Sequence, residues 1–357
     1  MGDGCRRTDP LGAEDTELLR GLPNDITLYC LARVPRKYHT VLKCVSKRWR
    51  ELVCSEEWHD YRRKNNLAET WIYALCRGTF DQLRLYVLDP NSQRRCWKLI
   101  PVVPDRCLKR KGMGFEAFGK KIYLMGGCGW SEDTTDEVYC YDVPRNSWAE
   151  VTSLSTARCY FACEILDGKI YAIGGLGSNP SDLHSWDCFD PHTSTCESHP
   201  YTNILSEIDD SMVLDGKIYS LCGLYGYASR VYGVVYDPLH DTWQYADADL
   251  VSGWRGPAVI VDGDFYVLDQ SSGTKLMMWD KQKREWVAVG RLSALLTRPP
   301  CRLAAIGKKI FIVGKGLCTV VVDIGQTGNN VEGVLVSSSI PGLDCQDEII
   351  SCTCVSI

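Results

Sequence analysis

One short pattern recurs through the chain and restricts its fold more than any other feature: an apolar strand, a tight glycine turn, and a second apolar strand. It appears as Phe118-Gly119-Lys120-Lys121-Ile122-Tyr123, Asp167-Gly168-Lys169-Ile170-Tyr171, Asp215-Gly216-Lys217-Ile218-Tyr219, Asp262-Gly263-Asp264-Phe265-Tyr266 and Ile306-Gly307-Lys308-Lys309-Ile310-Phe311. The turn glycines lie 49, 48, 47 and 44 residues apart. Glycine accepts the positive φ of a two-residue turn, so each copy reads as a β-hairpin. Self-similarity at a nearly fixed period is the mark of a repeat architecture.

A second marker runs in step with the first: an aromatic or apolar residue, then Asp, then Trp. Tyr141-Asp142 precedes Trp148, Tyr236-Asp237 precedes Trp243, Trp279-Asp280 precedes Trp286, and Leu88-Asp89 precedes Trp97. Phe189-Asp190 and Val322-Asp323 keep the strand without the Trp. Two β markers per period give four strands, A to D, and four-stranded sheets set radially make a propeller. Trp148, Trp243 and Trp286 recur with the blades and are expected to pack between them. The hairpins number five but the C strands six. Thr70–Leu75 can supply strand B of the first unit, and Ile349–Val355 its missing strand A. The expected fold is therefore mainly β, a six-bladed propeller over residues 70–357 closed by its C-terminal strand. Such closure leaves only short edges exposed.

Ahead of the ring the pattern changes. Residues 1–14 are polar and expected to be disordered. From 15 to 62 the apolar spacing is helical: Ile26, Cys30, Leu31 and Val34 form one stripe expected to be buried, and Leu42, Val45, Trp49, Leu52 and Val53 a second. Pro23-Asn24-Asp25 starts the first helix, and Pro35 ends it. Two or three short helices bury little surface alone, so this unit is expected to need a partner.

Paired glycines close strand B at Gly126-Gly127 and Gly174-Gly175, before the Tyr-Asp and Trp marks; this resembles the kelch motif. Cys222-Gly223 and Gly314-Lys315 keep one glycine, and Val267-Leu268-Asp269 keeps none. Leu22-Pro23-Asn24-Asp25-Ile26, then Leu31, Val34-Pro35, Leu42 and Val45-Ser46-Lys47-Arg48-Trp49-Arg50, resembles the F-box. In this order the two resemble plant F-box/kelch-repeat proteins of the Skp-interacting-partner type. The resemblance implies a non-catalytic substrate-recognition subunit of an SCF ubiquitin ligase, joined through a Skp-type adaptor to a cullin–RING core. The adaptor-facing residues it implies are Leu22, Pro23, Ile26, Leu31, Val34, Pro35, Leu42, Val45 and Trp49. Each could equally belong to the helical unit's own core, because one apolar stripe serves both purposes.

Consecutive strands alternate in direction, so the B–C and D–A loops share one face of the ring. The A–B turns opposite are minimal hairpins. The B–C loops are longer and carry Trp130, Tyr225, Tyr227 and Arg230; the D–A loops carry Arg158 and Arg255. Aromatic and Arg side chains are the usual anchors of protein interfaces, which makes these six the candidate contacts for a protein substrate.

Composition bounds the alternatives. A net charge of −5 argues against general nucleic-acid binding. The basic run Arg33, Arg36, Lys37, Lys43, Lys47, Arg48 and Arg50 is expected to be a solvated face that steers an acidic partner. The sequence holds no run of 18 apolar residues, the N-terminus has no apolar signal core, and Arg6 stands where a myristoylation pattern needs Ser or Thr. Nineteen cysteines without a C-x-x-C, and six scattered histidines, read as reduced buried thiols of a nuclear or cytoplasmic protein rather than a metal site. No G-x-S-x-G, G-x-x-x-x-G-K-[ST] or H-E-x-x-H pattern occurs, and neither cofactor nor membrane partner is expected. Two other readings are a kelch scaffold that binds the adaptor without a ubiquitination role, and a propeller enzyme with a degenerate N-terminal segment.

Overall fold

The computed structural model describes residues 17–100, 103–131, 133–178, 185–201, 208–224, 231–271, 273–326, 338–343 and 345–357. The expected disordered segment 1–14 lies outside them, as do Tyr225, Tyr227 and Arg230. The chain divides into two compact units, one ending at Glu69 and taking in Ile357, the other Thr70–Ser356.

The first unit is helical: α1 (Asn24–Ala32), α2 (His39–Val45), α3 (Lys47–Cys54) and α4 (Glu56–Lys64). Two serines separate the last three helices. Ser46 leaves the helical region and accepts a hydrogen bond from the Trp49 amide at 3.1 Å; Ser55 does the same for Trp58 at 3.2 Å. Each hydroxyl satisfies an amide that its helix start would otherwise leave unbonded. The core gathers Leu31, Ala32, Leu42, Leu52, Val53 and Trp58, flanked by Leu18, Leu28, Val34, Trp49, Tyr61 and Leu67.

At its centre is a buried Arg62. Its guanidinium donates to the carbonyls of Ala32, Val34 (3.1 Å) and Leu67 (2.6 Å) and pairs with Glu69 at 3.2 Å. One cation thus satisfies the end of α1 and the exit from α4, where bare carbonyls would cost free energy. Arg36 departs from the expected solvated run: it is buried, and its backbone and side chain both bond to Glu69.

The second unit is a six-bladed propeller. Blade 1 runs Glu348–Ser356, Thr70–Arg77, Leu83–Leu88, Trp97–Ile100 in strand order A to D. Blades 2 to 6 begin with strands A at Gly114–Phe118, Ala162–Leu166, Ile208–Leu214, Ala258–Val261 and Arg302–Ile306, and each adds B, C and D in chain order. All pairings within the blades are antiparallel. Each strand A also touches the A strands of the two neighbouring blades, and that circle closes at blade 1. The C-terminal strand therefore completes the blade begun at Thr70, pairing Thr70 with Ser356 through Arg77 with Glu348.

Apolar clusters fill the wedges between blades. One joins Tyr171 and Trp186 of blade 3 to Ile218 and Tyr236 of blade 4, and Trp243 packs against it 4.3 Å from Tyr201. Trp286 lies 5.2 Å from Phe265 and donates to the Asp249 and Leu250 carbonyls of α5 (Ala248–Gly253), the helix leading from blade 4 to blade 5. Trp148 differs: its ring contact is with Tyr141 of its own blade, at 5.1 Å.

The paired glycines have a steric cause. A Cβ on Gly126 would fall 2.4 Å from the Arg158 carbonyl oxygen, where the next D–A connection crosses, and the Gly127 amide donates to that same oxygen. Blade 5 lacks the pair, and its close-packed glycine stands elsewhere. Gly256 of its D–A connection would place a Cβ 2.2 Å from the Leu268 carbonyl oxygen. Gly256 lies on the connection entering its own blade, whereas Gly126 faces the connection leaving its blade, so the two glycines serve different close approaches.

Candidate functional site

The helical unit separates its apolar residues into two groups. Leu31 and Leu42 are core, while Leu22, Val34 and Trp49 are half-buried, with the Trp49 indole donating to the Leu18 carbonyl at 2.8 Å. Pro23, Pro35, Ile26 (45 % exposed) and Val45 (59 % exposed) face outward. The buried stripe expected from spacing is therefore wrong for Ile26 and Cys30, and Val45 of the second stripe also faces outward, because the core needs only the inward half of each helix. Two further large apolar side chains join the outward group, Tyr29 on α1 and Val41 on α2. Both were legible by helical spacing, three residues after Ile26 and four before Val45. The Arg33 guanidinium caps the Tyr29 ring at 3.4 Å, a cation–π contact that holds the ring in place at the surface.

On the propeller, Trp130 is 76 % exposed, with the Lys111 ammonium 5.1 Å from its ring centre. Arg255 is exposed just after α5. Arg158 is not a surface residue. It is buried, pairs with the equally buried Asp187 at 3.1 Å, and donates to the carbonyls of Gly174 and Ser185, each at 3.1 Å. It ties a D–A connection to strand C of blade 3 and drops out of the substrate-facing set. Position in a loop is no guarantee of exposure when a carboxylate waits inside. Beside Arg255, a cleft of about 800 Å³ opens on the B–C and D–A face of blade 4.

The comparisons with known proteins agree with this two-part layout. The F-box domain model matches residues 19–61, and the model described as FKB95, Kelch-repeats domain matches residues 72–332. The chain is 51 % identical over 346 residues to the F-box/kelch-repeat protein SKIP4 of Arabidopsis thaliana, covering 95 % of this chain and 94 % of that one. This chain belongs to the F-box/kelch-repeat family. A second Arabidopsis thaliana F-box/kelch-repeat protein, At1g30090, is 30 % identical over 329 residues, 87 % of this chain and 80 % of the relative. The Arabidopsis thaliana F-box/kelch-repeat protein SKIP30 is 26 % identical over 309 residues, 83 % of each.

The kelch ring also holds a group of residues that the sequence reading passed over. Its central channel, about 630 Å³, is lined by Glu116, Glu164, Asp209, Asp210 and Arg302 among apolar neighbours. Glu116 and Glu164 occupy one register, opposite the Tyr of strand B in blades 2 and 3, and that repeat of a lone acid in an inner strand was the available signal. Asp210 accepts from the Trp254 indole at 2.9 Å and the Ala258 amide at 3.0 Å, and Glu164 from the Ser211 hydroxyl at 2.6 Å. Although half-exposed to the channel, these carboxyls are surrounded by protein, and a narrow channel cannot hydrate a charge as bulk solvent does. Burial pushes the Glu164 carboxyl up to about 8, with the neighbouring Asp210 adding to the rise, and pushes Asp210 up to about 6. Glu116 is raised too, by burial first and then by the Glu164 charge. Among the described residues no group of three or more His, Cys, Asp or Glu side chains is placed to hold a metal ion, and no helix is long and apolar enough to cross a membrane.

The sign of the linkage is fixed. A carboxyl that titrates near 4.5 when unfolded and near 8 when folded favours the folded ring below pH 4.5, and that contribution is lost as pH rises through 8. The thermal midpoint should therefore fall between about pH 5 and about pH 9, and the uncharged isostere in Glu164→Gln should flatten the fall. Thermal scans across that range check this; an equal slope in the variant counts against the assignment.

Proposed function

We propose that the protein is the substrate-recognition subunit of an SCF-type ubiquitin ligase. Its F-box docks on a Skp-type adaptor, which links it to a cullin–RING core, and its kelch ring holds the protein to be ubiquitinated. Nuclear or cytoplasmic residence goes with this reading. The observation that carries it is the outward apolar group on the F-box, Ile26, Tyr29, Val41 and Val45, which the unit's own core leaves uncovered. A desolvated group of large apolar side chains is what the centre of a stable interface requires.

The mechanism is positional. A propeller that holds a substrate, fixed to an adaptor, raises the effective concentration of substrate lysines near a thioester carried by another subunit. No bond need be made or broken by this chain.

Ile26→Asp with Val45→Asp tests the docking. Both sites are exposed, so the F-box should keep its helical circular dichroism. Capture of a Skp-type adaptor should fall at least about thirtyfold, the scale of losing an interface hot spot. The same variant should stabilise the substrate in cells; a substrate that turns over normally while adaptor capture is lost favours the scaffold without a ubiquitination role. Undiminished adaptor capture overturns the proposed docking surface.

A further inference from the structure

The cleft on blade 4 has a composition that selects its occupant. It is lined by Leu224, Val231, Ala246 and Val251, with Trp254 behind them and Tyr232 and Tyr245 at one side. Trp254 is fully buried and held from both directions, edge-on to Phe265 at 5.1 Å and bonded through its indole to Asp210 at 2.9 Å. The cleft is thus backed by a fixed side chain, so binding in it costs little ordering entropy. Tyr245 is 76 % exposed, its ring 6.4 Å from Tyr232.

Arg255 is the one charged residue among the described residues that line the cleft. Its Nε donates to the Ser252 carbonyl at 2.8 Å, which fixes the guanidinium plane beside the cleft. Asp247, which caps α5, and Asp249 on it are instead within ion-pair reach of Arg284 in the C–D turn of blade 5. A concave apolar volume of this size suits one large side chain with its neighbours, and an oriented guanidinium beside it suits a carboxylate.

We propose that this cleft is a specificity site of the kelch ring, taking a substrate segment in which a large apolar or aromatic side chain is followed closely by an acidic residue. The apolar side chain enters beside Tyr245, against Leu224, Val231 and Ala246, and the carboxylate pairs with Arg255. This rests on the receptor function proposed above and names the class of sequence it reads.

The test uses the full-length chain and two sets of fluorescein-labelled synthetic peptides, one with Leu, Phe or Trp followed by Asp, the other identical but with Lys for Asp. The Asp set should bind at least about tenfold more tightly, and increasingly weakly with added salt. Ala248→Phe, which fills the cleft from an exposed position, should abolish that binding. Arg255→Glu should lose the Asp set and gain the Lys set, a reversal that no unfolding produces. Equal binding of the two sets, absence of binding by either, or binding that survives both substitutions overturns the proposal. Adaptor capture, measured on the same samples, separates the two readings. If the parent chain captures no adaptor yet discriminates the peptides, the ligase reading fails and the cleft stands; if it captures adaptor but ignores the peptides, the reverse holds.

Discussion

A chain ending before Glu348 should fail to form a stable ring. The lost strand supplies the inner edge of blade 1 and touches the inner strands of blades 2 and 6, so its removal opens the circle at three places. Ile349 and Val355 are almost fully buried, and each is worth about 1.5–3 kcal/mol by burial alone. Thr70–Arg77 would be left as an open, largely apolar edge, the kind of strand that pairs with other chains. The buried Asp347, which accepts from the Tyr86 hydroxyl at 2.6 Å and pairs with Arg84 at 3.3 Å, would be left at a frayed terminus. Against a total stability of about 5–15 kcal/mol, a loss of this size is a large fraction. The expected result is a thermal midpoint lower by about 10 °C or more, with aggregation, read by calorimetry and light scattering. Glu348→Ala removes only a partly exposed pair with Lys315 and serves as the control near zero. An unchanged midpoint in the truncated chain would falsify the closure argument.

That closure was legible because it is a counting problem. Six C strands against five hairpins demanded a missing strand, and the last apolar run, at the C-terminus, could supply it. The periodic turns were legible for a similar reason: each repeats a local backbone requirement. What stayed hidden depended on contacts with other segments of the chain. Val267-Leu268-Asp269 keeps no glycine, and nothing in that stretch shows that the Leu268 carbonyl meets the backbone of Gly256. On the F-box, spacing identified the helical stripes but not the side on which the core lay, so Ile26 and Val45 could not be told from Leu31 and Leu42. The fourth helix was missed, since Glu56–Lys64 is charged along most of its length and is anchored by Trp58 and Arg62.

Arg158 illustrates the same limit with an energetic consequence. Its carboxylate partner lies on strand C of the following blade, and nothing in either local sequence marks the pair. Asp187 also accepts from the Thr156 amide at 2.8 Å, so one carboxylate holds both ends of the Thr156–Arg158 turn. Removing it in Asp187→Ala leaves a buried guanidinium without its counter-charge. Breaking one side of a buried pair typically costs about 3–5 kcal/mol, because the remaining charge stays desolvated. At about 2–4 °C per kcal/mol for a domain of this size, the thermal midpoint should fall by roughly 10 °C. The neutral pair Arg158→Met with Asp187→Leu removes both charges while keeping apolar volume, and should recover most of the loss. Calorimetry of the two variants checks the account. A single variant within about 1 kcal/mol of the parent, or a double variant no better than the single, would show that the guanidinium finds its charge compensation elsewhere in the ring.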